Sequence, residues 1–217
     1  MAPYYPVYLD VKNRLCVIIG GGPIGEGKIA ALLECGANIR MIAPEVTQDV
    51  QDMADSGALK LEKREYREGD LEGAFVAIAA TDDTAVQRRI AAEAERLGAL
   101  LNVADVTHLC NFIAPSVVRK GEVTVAISTA GLSPALARKL RETLEVSRDL
   151  DYADMASLLA EVRGELRREG AAIHPDHWQA CLTQELLELY YRDRDSARAV
   201  LKEALLQDPH RAEVSAV

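Results

Sequence analysis

The residues most suggestive of chemistry lie in a turn near the N-terminus, Gly20-Gly21-Gly22-Pro23-Ile24-Gly25, which has the spacing Gly-x-Gly-x-x-Gly. The turn follows the apolar run Leu15 to Ile19 and opens a segment with Ile29, Leu32 and Leu33 at helical spacing. In that strand-turn-helix context each glycine has a mechanical task. Gly20 permits a tight turn, Gly22 lets the backbone approach a pyrophosphate, and Gly25 lets helix and strand pack closely. The free N–H groups and positive dipole at the helix start attract the anion. The chemistry expected here is the binding of a dinucleotide.

Three further polar clusters belong to the same reading. Ala43-Pro44-Glu45 follows a second strand, where an acidic residue binds the adenosine ribose hydroxyls of NAD and an arginine would favour the phosphate of NADP. Glu45 lies a little past the roughly 20 residues expected for that acid. It also suits capping of the next helix, so both roles stay open, with NAD preferred over NADP. Arg40 is expected to run along the strand and does not decide the matter. Thr81-Asp82-Asp83 and Asn102-Val103-Ala104-Asp105 follow two more apolar runs. In a doubly wound sheet the carboxyl ends of the strands share one rim, and ligands bind in the crevice outside it. Asp82 and Asp83 equally suit capping of the helix that begins near Thr84, and an aspartate after a strand, as at Asp105, is a common loop residue.

The elements that must position these residues follow from periodicity. Strands are expected over 15–19, 38–43, 59–63, 75–80 and 100–104, and helices over 24–34, 46–55 and 84–97. Alternation of near-continuous apolar strands with helices specifies an α/β fold, a Rossmann-type doubly wound parallel sheet covered on both faces. Beyond Asp105 the grammar changes. Segments 112–118 and 123–128 read as a hairpin joined across 119–121, and Ser133-Pro134 supplies an N-cap and first-turn proline for a helix reaching about 146. The remainder reads as helices, with Leu158, Leu159, Val162 and Leu166 on one stripe and Leu182, Leu186, Leu187 and Tyr190 on another. A helical layer or a subunit interface fits.

Composition narrows the function classes. Of 217 residues, 49% are hydrophobic and 27% charged, so the chain is expected to fold rather than remain disordered. A formal net charge of −9 argues against nucleic acid or an anionic membrane as partner. No signal peptide and no membrane-spanning run is evident, and the cytoplasm is the expected location. Cys16, Cys35, Cys110 and Cys181 form no Cys-x-x-Cys pair, so reduced and partly buried thiols are expected. In His174-Pro175-Asp176-His177 the proline suits a first helical position and Asp176 the positive helix end. Two histidines at this spacing are a weak metal signal, and no metal site is assigned.

The strings VIIGGGPIGEGKIAALLECGANIRMIAPE, AIAATDDTAVQ, LLNVADVTHLCNFIAPSVVRKGEVTVAIST and GLSPALARKLRETLE, in this order, resemble the precorrin-2 dehydrogenase and siroheme synthase family over about residues 6 to 145. That resemblance implies NAD-dependent oxidation of precorrin-2 to sirohydrochlorin, in some members with insertion of ferrous iron as a second substrate. It implies a homodimer with an NAD-binding domain (1–111), a hairpin-plus-helix dimerisation segment (112–147) and a helical C-terminal domain (148–217). The family's dinucleotide contacts fall on Gly22, Pro23 and Ile24 and on Pro44 and Glu45, with Thr81, Asn102 and Val103 as further contacts. Its key aspartate aligns with Asp105, the candidate proton acceptor as hydride leaves the substrate.

The family usually has alanine at position 25 and arginine at position 27, where this chain has glycine. A tetrapyrrole bearing many carboxylates needs cations, for which Arg119, Lys120, Arg138, Lys139 and Arg141 are available, though each equally suits a solvated surface. Ser128 and Thr129 could add hydrogen bonds. Two other readings stay open: a dinucleotide-sensing regulatory module, and a dehydrogenase of another small substrate.

Overall fold

The computed structural model describes residues 4–207. Two compact units divide it, one formed by the chain up to Ala114 together with Ala130–Leu132, the other by Pro115–Thr129 and the chain from Ser133 onward.

The first unit is built on five parallel strands in the order β3-β2-β1-β4-β5. They are β1 (Leu15–Gly21), β2 (Asn38–Val46), β3 (Lys60–Glu62), β4 (Val76–Ala79) and β5 (Leu100–Val103). Strands buried on both faces must be apolar throughout, and the side chains of β1 divide between two cores. Cys16 and Ile18 join Ile29, Met41 and Val50 on the face covered by α1 (Pro23–Glu34) and α2 (Gln48–Asp55). Val17 and Ile19 join Ile42, Ile90, Ala94 and Leu101 on the face covered by α3 (Thr84–Leu97). Burying each such aliphatic side chain contributes about 1.5–3 kcal/mol. On the α3 face no second helix stands between β3 and β4. The loop there covers the sheet instead, placing Tyr66 and Leu71 in the core.

Differences from the expected boundaries have local causes. β2 runs on to Val46, because a register shift lets Gly21 pair with Val46 beyond Pro44. α2 accordingly begins after Thr47, whose Oγ1 accepts from Val50 N–H at 3.3 Å. α3 spans the residues expected, closed by Gly98 in the left-handed conformation.

The second unit holds the hairpin of β6 (Ser116–Lys120) and β7 (Val123–Ile127) and the helices α4 (Pro134–Glu145), α5 (Ala156–Arg168), α6 (Pro175–Ala180), α7 (Gln184–Arg192) and α8 (Arg194–Leu206). A 3-10 stretch, Arg148–Met155, precedes α5. β6 starts at Ser116 rather than 112, since Pro115 has no N–H to give a ladder. The turn falls at Gly121-Glu122, with Gly121 at φ +55° in the first central position, which a type II′ hairpin reserves for glycine. Ser133 caps α4 by accepting from Leu136 N–H, with Pro134 in the first turn, as its sequence prescribes. Among the described residues no helix is long and apolar enough to cross a membrane.

Candidate active site

Strand order reverses between β1 and β4, and all five strands run the same way. The segments that follow β1, β4 and β5 therefore leave one edge of the sheet side by side, at the point where open α/β sheets bind ligands. The Gly20 turn, Thr81 and Asp105 share that edge.

Gly20 sits at φ +108°, and a side chain on it would overlap the Ala80 carbonyl. The turn can pass β4 only with glycine there. Gly25 is fixed by packing: an added Cβ would overlap the Gly20 carbonyl, so even alanine does not fit this close approach of helix and strand. Around Gly22 nothing lies within 4 Å of where a Cβ would stand. Gly22 is also the N-cap of α1 and its terminus carries no side-chain cap, so first-turn N–H groups are left for an incoming anion. Pro23 and Ile24 are exposed beside it, Ile24 presenting 47% of its surface. At Gly27 a Cβ would meet nothing, so the absence of a side chain there is not forced by packing.

On β2, Pro44 and Glu45 are exposed at the strand end. Thr47, and not Glu45, caps α2, which leaves the Glu45 carboxylate uncommitted to a helix end. The Thr47 hydroxyl also donates to Glu26 Oε2 at 2.6 Å, tying the first turn of α1 to the start of α2 and turning that carboxylate aside from the helix end. Arg40 is held away from the edge by a hydrogen bond from Nη2 to the Asp70 carbonyl.

After β4, Asp83 is the cap of α3: its Oδ1 accepts from Ala85 N–H at 2.8 Å and Val86 N–H at 3.1 Å. The exposed Asp82 lies outside that cap. Thr81 is fixed by two neighbours, its Oγ1 accepting from Asp83 N–H and its carbonyl from buried Gln87 Nε2 at 2.6 Å. After β5, Val106 N–H returns to the Val103 carbonyl at 3.3 Å, closing a turn with Asp105 at its third position and φ +59°. Asp105 is exposed and makes no hydrogen bond or ion pair with another described residue.

That turn is braced from behind. Cys110 Sγ accepts from Val103 N–H at 3.1 Å, and burial pushes its thiol pKa upward. Asn111 accepts from Leu101 N–H at 2.7 Å and donates to the Ala99 carbonyl at 2.9 Å, standing in for a neighbouring strand along β5. Asn102 Nδ2 donates to the Phe112 carbonyl at 3.2 Å, while the Val103 side chain is buried in the core. Either residue would meet a cofactor through groups already partly engaged. Gln87 carries a legible signal, being polar on the apolar stripe of α3. Cys110 and Asn111 carry none, since their partners lie on another element.

The family model "Putative NAD(P)-binding" matches residues 7–116, and the model "Sirohaem biosynthesis protein central" matches residues 120–147. The chain belongs to the NAD(P)-binding family of the siroheme synthases. Siroheme synthase of Nitrosococcus oceani is 31% identical over 205 residues, covering 93% of this chain and 44% of that protein. Siroheme synthase of Methylococcus capsulatus is 35% identical over 206 residues, covering 93% and 43%. The chain thus spans less than half the length of these curated relatives. Among solved structures it is similar to "SirC, precorrin-2 dehydrogenase", with TM-score 0.68 and 28% identity over 94% of this chain and 98% of that one. The Rossmann-type sheet, hairpin and C-terminal helices expected from the sequence are those of this fold.

The remaining sequence-predicted residues lie in the second unit. Thr129 Oγ1 accepts from Ser133 N–H at 3.1 Å and donates to the Ser133 carbonyl, which fixes the approach to α4. Ser128 and Arg119 are exposed. Arg138 pairs with Glu142 at 2.9 Å and Arg141 with Glu145. Lys120 is held by Asp151 at 2.6 Å and Asp154 at 3.4 Å. In α6, His174 caps the helix and Pro175 takes its first turn, while His177 Nε2 lies 2.9 Å from the Ala204 carbonyl on α8. The two imidazoles therefore serve different elements.

Proposed function

We propose that this chain oxidises precorrin-2 to sirohydrochlorin with NAD as acceptor, Asp105 taking the proton. The observation that carries the reading is Asp105 itself: an exposed carboxylate without a partner among the described residues, held at φ +59° on the rim that also carries the glycine turn. Asn13 and Ala130 share the positive φ, but of the three only Asp105 brings a carboxylate to the rim, where a strained position is a candidate for function. A sensor of dinucleotide would have no use for it. The names of its relatives and of its structural neighbour supply the substrate.

The open backbone at Gly22 and the uncapped start of α1 suit a pyrophosphate, and Glu45 suits the ribose hydroxyls of NAD. Pro23, Ile24, Pro44, Thr81, Asn102 and Val103 complete the proposed contacts. When bound, NAD supplies the hydride acceptor. The chain's own part is to orient the substrate and to receive at Asp105 Oδ the proton lost as the hydride leaves, a contribution of about 10²–10⁴ in rate. Asp105 could likewise take pyrrole protons as ferrous iron enters sirohydrochlorin, which is included in the proposal as a second reaction. Ser128, Thr129, Arg119 and Arg138 are proposed as substrate contacts on the resemblance. So are the three-part division at residues 111 and 147, a cytoplasmic location and a homodimer, the last supported by Leu136 and Leu140, exposed one turn apart on α4.

Purified protein given precorrin-2 and NAD without oxygen is expected to release NADH and sirohydrochlorin in equal amounts. Tight NADH binding with no turnover would overturn the reading.

A further inference from the structure

Helix α5 sorts its charges by face. Glu161, Glu165 and Glu169 turn toward α8, where Arg194 meets Glu161 at 2.8 Å, Arg198 meets Glu161 and Glu165, and Lys202 bridges Glu165 and Glu169 at 3.2 and 2.6 Å. Arg163 and Arg167 lie one turn apart on another side, exposed and without an ion pair to any described residue. They stand on the edge of a groove of about 1070 Å³ within the second unit, whose apolar wall includes Leu159, Ile173, Trp178 and Leu182. Gly164 leaves the floor open, a Cβ there meeting nothing within 4 Å. The volume lies just above the roughly 300–1,000 Å³ range of small-molecule sites, room for a large ligand.

We infer that this groove binds a tetrapyrrole polycarboxylate, its apolar face against Trp178 and its carboxylates on Arg163 and Arg167. Side chains at i and i+4 stand with Cβ atoms about 5–6 Å apart on one helix face, and each guanidinium can fork onto a carboxylate. In a chain of net charge −9, two cations left unpaired beside an apolar wall select an anion with a broad hydrophobic body. An uncharged apolar partner would leave both guanidiniums unused, and an acidic helix would have its charges spread along the groove rather than gathered at one edge. The identity of the anion rests on the precorrin-2 reading; the affinity of the groove for such an anion does not.

Trp178 is the one tryptophan of the chain, so its fluorescence reports on this wall. Full-length protein is titrated with uroporphyrin, a stable tetrapyrrole carboxylate, in parallel with the variants Arg163→Glu/Arg167→Glu and Gly164→Leu. Saturable quenching is expected for the wild type. The dissociation constant should rise at least tenfold in both variants, with kcat for precorrin-2 oxidation kept within twofold. Circular dichroism checks that both variants fold, as expected where Arg163 and Arg167 are exposed and a Cβ at Gly164 meets nothing within 4 Å. Quenching that saturates alike in all three proteins places the porphyrin elsewhere and overturns the inference. So does an absence of saturation. Self-association of the wild type that both variants abolish, without dependence on porphyrin, would assign the groove to a second copy and also overturn it. Arginine-dependent binding in a protein that fails to oxidise precorrin-2 would sustain the groove while removing the proposed function; turnover without groove binding would do the reverse.

Discussion

Asp105 pays in stability for its position. A non-glycine residue at φ +59° costs on the order of 1–2 kcal/mol, less where a short polar side chain eases the conformation. Glycine at that place should relieve the cost. Asp105→Gly is therefore expected to stabilise the protein by at most about 1 kcal/mol in urea titration, the relief being partly offset by the freedom of glycine in the unfolded chain, and yet lower kcat for precorrin-2 oxidation by at least about 10². Asp105→Asn, which keeps shape and backbone tolerance, should lose the same activity without the gain in stability. NADH affinity should hold in both. Full turnover by the glycine variant would show that the carboxylate is not the proton acceptor. At this scale the sequence was readable wherever a residue acts on its neighbours: the glycines, the Ser133 cap and the rim position of Asp105 follow from local pattern. It was silent where two side chains compete for one task. Asp82 and Asp83 are equivalent as letters, and only the bonds from Ala85 and Val86 select Asp83. Glu45 and Thr47 both suit the start of α2, and Thr47 takes the cap while also meeting Glu26, 21 positions away in the chain.

The connection from β3 to β4 shows what an element can be when it lacks regular structure. Residues 63–75 cover one face of the sheet without a helix, and polar bonds hold them in shape. Arg64 forks onto Asp70 with two bonds of 2.7 Å, and Arg67 N–H reaches the same carboxylate at 2.7 Å. Buried Glu93 of α3 accepts from Gly69 N–H at 2.8 Å and from the Tyr66 hydroxyl, so the loop is fastened to the helix beneath it. Burial alone would raise the Asp70 pKa, but the bonds from Arg64 and Arg67 outweigh it and hold the carboxyl below its usual range. A depressed folded-state pKa adds stability above the unfolded value, near 3.9, which is lost as the pH falls through the folded value. Asp70→Asn is thus expected to cost about 2 kcal/mol at pH 7. The difference from wild type in urea midpoints should shrink as the pH drops below about 4. A gap independent of pH would mean that the ion pair contributes nothing. Regular elements were legible because apolar periods of 2 and 3.6 survive in single segments. This loop was not, because its bonds join residues on β3, the loop and α3. The start of β6 was misplaced for a related reason: Phe112, Ile113 and Ala114 are as apolar as a strand, yet Asn102 holds the Phe112 carbonyl beside β5.

Each of the two units carries a core of its own. In the second, Met155, Leu158, Val162 and Leu166 meet Leu186, Leu187, Ala197, Leu201 and Leu205, all buried, with α8 supplying the last three. The stripes of α5 and α7 were visible in the sequence. Their partner in α8 was not, since its alanine and leucines sit among Arg194, Arg198 and Lys202, and those charges belong to the ion pairs with α5 rather than to open solvent. Leu201, 1% exposed at the centre of this cluster, makes the test. Leu201→Ala removes buried methyl groups and leaves a cavity, at a cost of about 2–5 kcal/mol. Because stability is distributed among cooperative units, that loss should be confined to the unit whose core is damaged. Amides of α5, α7 and α8 should exchange with solvent faster by a factor on the order of 30 or more, as 2 kcal/mol implies. Amides of β1, β2, β4 and β5 should keep their protection, and the dissociation constant for NADH should change less than twofold. Faster exchange in the parallel sheet, accompanied by weaker NADH binding, would show instead that the helical core supports the dinucleotide fold.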